Sequence, residues 1–118
     1  MIPDYVIELR PAFAPRPWGG RDLERWYPHL PPGIIGEAWA LSARPEAPSV
    51  VANGPLAGNG LDLLFGAGER FPALIKLLHA AADLSVQVHP PDGFAGLAPG
   101  DSGKTELWLV LHALHGAS

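Results

Sequence analysis

The stretch IIGEAWALSA, residues 34–43, alternates with a period of two, setting Glu37, Trp39 and Leu41 on one side and Ile34, Gly36, Ala38 and Ala40 on the other. Alternation of this length reads as a β-strand, since successive side chains of a strand point to opposite faces. Before it, DYVIELRP (4–11) is a shorter strand ended by proline, and FAPRPWGGRDLERWYPHLPPG (13–33) is broken by prolines and glycines into loop, with one helical turn at 21–27. After it, SVVANGPLAGNG (49–60) is a brief strand running into turns, and LDLLFGAG (61–68) is a short helix or turn. FPALIKLLHAAADL (71–84) and KTELWLVLHALHG (104–116) fit helix by spacing and strand by length or alternation. LSVQVHP (84–90) is β-branched, alternating and closed by Pro90.

Composition narrows the function classes. In 118 residues, 47% are apolar and 17% charged, which suits one globular domain over 1–118. The net charge is −4 and no Lys/Arg run occurs, so nucleic acid is not an expected partner. Without cysteine there is neither a disulfide framework nor a thiolate metal site. No apolar run approaches the roughly 20 residues of a membrane helix, and MIPDYVIELRP lacks the basic and apolar regions of a secretion signal. A cytoplasmic protein without a membrane partner is the expectation.

The polar residues of the last two extended segments carry the chemistry. Gln87 and His89 share a face, with Cα atoms ~6.6 Å apart along a strand. Lys104, Glu106 and Trp108 share a face of the following segment. Adjacent segments would bring imidazole, amide oxygen and carboxylate to one point, a donor set suited to zinc and related ions. The same residues also suit a buried histidine bonded to Glu106 or Gln87 without metal, and on spacing alone that is the commoner outcome.

The chain resembles type I mannose-6-phosphate isomerase through six stretches in order: RPWGG (16–20), IGEAWALS (35–42), NGPLAG (53–58), FPALIKLL (71–78), LSVQVHPPD (84–92) and GKTELWLVL (103–111). The resemblance implies a mainly β fold, a cupin-type jelly roll with one or two short helices, and strand for both ambiguous segments. It implies zinc as cofactor, held by Gln87, His89 and Glu106. A sugar phosphate is the implied substrate, interconverted between mannose 6-phosphate and fructose 6-phosphate. Ser85 and Trp18 are implied to bind it, and Glu37, Lys76 and Lys104 to line the pocket as unranked acid–base candidates.

The departures are specific. The family uses a further metal histidine and an arginine later in the chain, and this sequence has neither. The expectation is therefore a jelly roll truncated relative to the family, with an incomplete barrel and impaired turnover. His112 cannot substitute, since six residues along a strand span ~20 Å, and His115 fails by parity as well. Two readings from other classes stand beside the isomerase. One is a non-catalytic cupin module, binding metal or sugar and pairing as a homodimer through open sheet edges. The other is a phosphate-binding loop at APGDSGKT (98–105), which needs a strand before it and a helix after it.

Overall fold

The computed structural model describes residues 3–66, 69 and 71–117. They divide into two units, one ending at Leu84 and the other beginning at Ser85.

The first unit is built on five strands: β1 (Leu9–Arg10), β2 (Ala12–Gly20), β3 (Ile35–Leu41), β4 (Val50–Val51) and β5 (Ile75–Leu78). β3 is the middle of a three-stranded antiparallel sheet, with β2 on one side and β5 on the other. β1 and β4 form a separate antiparallel pair. The only helical structure among the described residues is two 3-10 turns, Asp22–Arg25 and Leu61–Leu64. No barrel closes among these residues.

Register sorts the two faces of the sheet. Phe13, Ala38 and Leu77 are cross-strand neighbours. Leu23, Leu30, Ile35 and Ala38 form the buried core, with Phe13, Tyr27 and Leu77 packed against it. Phe13 meets the Tyr27 ring edge-on, with centroids 5.3 Å apart, the arrangement that aromatic quadrupoles favour. The 26–33 loop is fastened over the core by Arg21, which donates to the carbonyls of Leu30, Pro31 and Gly33. The opposite face carries Ala12 beside Trp39, Ala14 beside Glu37, and Lys76 beside Trp39. Small residues on β2 thus leave room for the large polar ones on β3 and β5.

Two buried serines fix the end of β3. The Ser49 hydroxyl donates to the Trp39 carbonyl at 2.9 Å and accepts the Ser42 N–H at 2.9 Å. Both serines are fully buried, and the hydroxyls satisfy groups whose burial would otherwise be costly.

Three local expectations change. Of residues 13–33, expected as loop because of their prolines and glycines, 13–20 belong to strand β2. The prolines are tolerated because register shifts fall between Ala14 and Pro15 and between Pro15 and Gly20, where no regular ladder N–H is needed. Residues 71–84 contribute a strand only over Ile75–Leu78. Residues 84–90 and 104–116 form no hydrogen-bonded strand. Their apolar side chains, among them Val86, Val88, Leu107 and Leu109, are exposed, so no burial holds them in a ladder. The short helix or turn expected at 61–68 is a 3-10 turn over Leu61–Leu64, and residues 67 and 68 lie outside the described ones. No helix follows 98–105, so the phosphate-binding loop lacks its required setting. No helix among the described residues is long and apolar enough to cross a membrane.

Candidate functional site

Each unit holds one cluster of the polar residues singled out from the sequence. In the first, Glu37 is buried in mid-strand on β3. Its Oε2 accepts from Arg16 Nη2 at 2.9 Å and from Trp39 Nε1 at 2.8 Å, and its Oε1 accepts from Lys76 Nζ at 3.3 Å. The Lys76 ammonium also stands 4.2 Å from the centroid of a Trp39 ring. Burial would raise the Glu37 pKa, but the Trp39 hydrogen bond and the charges of Lys76 and Arg16 outweigh it and hold the carboxyl below its ordinary value. Trp18 lies on β2 close against Gly36: a Cβ added to Gly36 would stand 2.9 Å from the indole Cζ3.

In the second unit, His89 Nε2 lies 3.2 Å from Glu106 Oε1, joining residues 17 positions apart. Trp108 Nε1 donates to the same oxygen at 3.2 Å, and Lys104 Nζ pairs with Glu106 Oε2 at 3.2 Å. The hydrogen bonds from Trp108 and Lys104, with the charges of Lys104 and His89, keep the Glu106 carboxyl below its ordinary value against a smaller opposing effect of burial. Gln87 donates its amide nitrogen to Ser85 Oγ at 2.8 Å.

The donor chemistry fits a divalent cation. An imidazole nitrogen beside a carboxylate oxygen is a common zinc pair, and with its nitrogen engaged by Ser85, Gln87 keeps its amide oxygen as the atom a cation takes. Among the described residues no group of three His, Cys, Asp or Glu side chains converges; the structure brings together His89 and Glu106, whereas Gln87 bonds to Ser85, so a cation on that pair would need further ligands to complete its shell.

Comparison with known proteins then decides the family. A model of the phosphomannose isomerase type I catalytic domain matches residues 6–98. The chain belongs to this family. Among relatives of this chain are the probable mannose-6-phosphate isomerase GmuF and the mannose-6-phosphate isomerase ManA, both of Bacillus subtilis (strain 168). GmuF is 46% identical, aligned over 91% of this chain and 38% of its own length. ManA is 42% identical, over 87% of this chain and 36% of its own. The crystal structure of the mannose 6-phosphate isomerase from Bacillus subtilis superposes with a TM-score of 0.72 at 42% identity, covering 82% of this chain and 34% of that one. The likeness bears out the mainly β, cupin-type jelly roll with an incomplete barrel. The chain spans little more than a third of the length of the curated relatives it matches. Lys104 and Glu106 follow the stretch matched by the family model.

Three residues of these clusters have roles the sequence pattern does not give, Arg16, Trp39 and Trp108. Arg16 lay in a segment read as loop. Trp39 was placed on the side of Glu37, but its bond to that carboxylate needs side-chain geometry. The one available signal was the alternation that put Glu37, a charged residue, in step with Trp39.

Proposed function

We propose that this chain carries part of the site of a zinc-dependent aldose–ketose isomerase interconverting mannose 6-phosphate and fructose 6-phosphate, within a single cupin-like domain spanning 1–118. The observation that carries the reading is the pairing of His89 Nε2 with Glu106 Oε1 at 3.2 Å in a chain that belongs to the phosphomannose isomerase family.

The reaction moves one proton from C2 to C1 of the sugar and the C2 hydroxyl proton to O1, through an enediol. Gln87, His89 and Glu106 would hold the zinc, which supplies a Lewis acid for the sugar oxygens when bound. Lys104, fixed on Glu106 Oε2, stands ready to donate to a sugar oxygen. Lys76 and Glu37 are the polar groups the first unit offers. Ser85 orients Gln87 and is the hydroxyl the second unit offers to the substrate, while Trp18 is an aromatic group the first unit offers. Water would occupy the positions of the zinc shell that these three residues leave open.

The test is metal content and isomerase turnover of the purified 118-residue chain and of its His89→Ala variant. Stoichiometric zinc with measurable turnover, both lost in the variant, supports the proposal. A chain that neither retains a divalent metal nor turns over the sugar phosphate refutes it for this chain.

A second reading is favoured by the exposure of Val86, Val88, Leu107, Leu109 and Leu111. Apolar side chains along extended segments suit association with a second copy, giving a non-catalytic homodimeric module. A metal-free dimer in sedimentation, without turnover, would favour it.

A further inference from the structure

The carboxylate of Glu37 receives three donors, two of them cationic, on its two oxygens. A group that must collect a proton works best with an accessible lone pair and a pKa near the working pH. Glu37 has neither, being 7% exposed and held as the anion by its neighbours. What the geometry does accomplish is the placement of Lys76. β3 and β5 set Lys76 directly across from Trp39, Glu37 Oε1 draws the ammonium from the neighbouring position, and the Trp39 face supports it from 4.2 Å.

We propose that Glu37 is a positioning residue rather than the base of the isomerisation: it acts through Lys76, fixing that ammonium against Trp39 as a donor to the substrate. An ammonium carries three N–H donors, and Glu37 takes one of them. The Lys76 side chain is 21% exposed, so solvent and ligands reach it. Arg16 engages the Glu37 oxygen opposite Lys76, so one carboxylate serves two cations and the face keeps a net positive charge suited to an oxygen-rich anionic ligand. The placement of Lys76 stands on geometry alone, while its action on a sugar phosphate rests on the isomerase proposal above.

The test separates the two parts. An ammonium held over an indole face places the lysine ε-methylene protons in the ring current, and they resonate upfield. In the parent chain such a resonance is expected, assigned by its loss in Lys76→Met. In Glu37→Gln it should return to the position of a solvated lysine while the backbone amide spectrum stays folded. An unshifted resonance in the parent, or one unmoved in Glu37→Gln, overturns the anchoring role. Should Glu37→Gln fail to fold, Glu37→Asp, which keeps the charge on a shorter arm, carries the same expectation and the same refutation.

Titration with mannose 6-phosphate then reads the ligand part. Glu37→Gln and Lys76→Met should each weaken binding roughly tenfold, and the double variant should be no weaker than Lys76→Met, because one residue acts through the other. Additive losses overturn the proposal. So does a pH–rate profile that loses a limb in Glu37→Gln, since that limb would belong to a base. A parent that does not bind the sugar phosphate sinks the isomerase reading, and the ring-current measurement still decides the anchoring.

Discussion

Lys76 and Trp39 are cross-strand partners on β5 and β3, and the lysine ammonium stands 4.2 Å from the centroid of a Trp39 ring. Directly opposed side chains in an antiparallel pair are the closest neighbours a sheet provides. A half-buried cation over an indole is worth about 0.5–2 kcal/mol. A double-mutant cycle with Lys76→Met and Trp39→Leu, read from urea unfolding, should return a coupling energy in that range. A coupling near zero would mean that Glu37 alone determines where Lys76 sits.

Stability should depend on pH through Glu37. Its carboxyl titrates lower in the folded chain than in the unfolded one. The ionised form is therefore favoured by folding, and the contribution is present in full above the unfolded carboxyl pKa of about 4.3. It fades as pH falls through the lower folded value, because the native state must then take up a proton that breaks the Arg16 and Lys76 pairs. Near pH 7 (roughly neutral), Glu37→Gln should be less stable than the parent by about 1–3 kcal/mol. The gap should narrow on acidification below about pH 4, measured by urea midpoints across that range. A gap that widens in acid would reverse the sign and contradict the assignment.

The alternation of residues 34–43 made β3 legible because both its faces are in use: Ala38 goes to the core and Glu37 with Trp39 to the polar face. β2 was not legible, since Pro15 and Pro17 mask a strand whose register slips at Pro15. Such slips are set by the partner strand, which a local pattern does not contain. The two extended segments at 84–90 and 104–111 have the same period-two signal without a ladder. Strand pattern records which side chains agree to share a face, whereas a strand requires a hydrogen-bonded neighbour. Shared faces made His89 and Glu106 candidates to meet, but their 3.2 Å approach also needs the two segments to lie side by side, which the local pattern does not contain. The role of Arg16 was not, because it depends on how β2 lies beside β3.

The approach of β2 to β3 should tolerate no side chain at Gly19. A Cβ there would lie 2.5 Å from the Gly36 backbone nitrogen, and backbone cannot swing aside as a side-chain tip can. Gly19→Ala should cost about 1–3 kcal/mol in urea unfolding, the usual penalty of overpacking. Gly36→Ala meets Arg16 Cβ at 2.5 Å and should additionally disturb the Arg16 bond to Glu37. A neutral result for Gly19→Ala would show that the strands can part without loss.

Ser49 is predicted to matter more than its size suggests. Ser49→Ala removes the donor to the Trp39 carbonyl and the acceptor of the Ser42 N–H, leaving two buried backbone groups unpaired. A loss of about 1–3 kcal/mol is expected, with no change in metal content, because Ser49 belongs to the sheet framework. A loss below ~0.5 kcal/mol would require water to reach these groups, although both hydrogen bonds are buried.

Metal binding should register as stability. A ligand that binds only the folded state adds RT ln(1 + [L]/Kd), about 2.7 kcal/mol at a hundredfold excess over Kd. Zinc should therefore raise the melting temperature of the parent, and the rise should vanish in both His89→Ala and Glu106→Gln, since these residues supply the paired nitrogen and oxygen at 3.2 Å. Lys104→Met should behave oppositely. It removes a cation from Glu106 Oε2 that competes electrostatically with any metal, so zinc should bind at least as tightly while turnover falls. Weaker zinc binding in Lys104→Met would show that the lysine holds Glu106 in place for the metal, and its role would become one of positioning rather than of donating to the sugar.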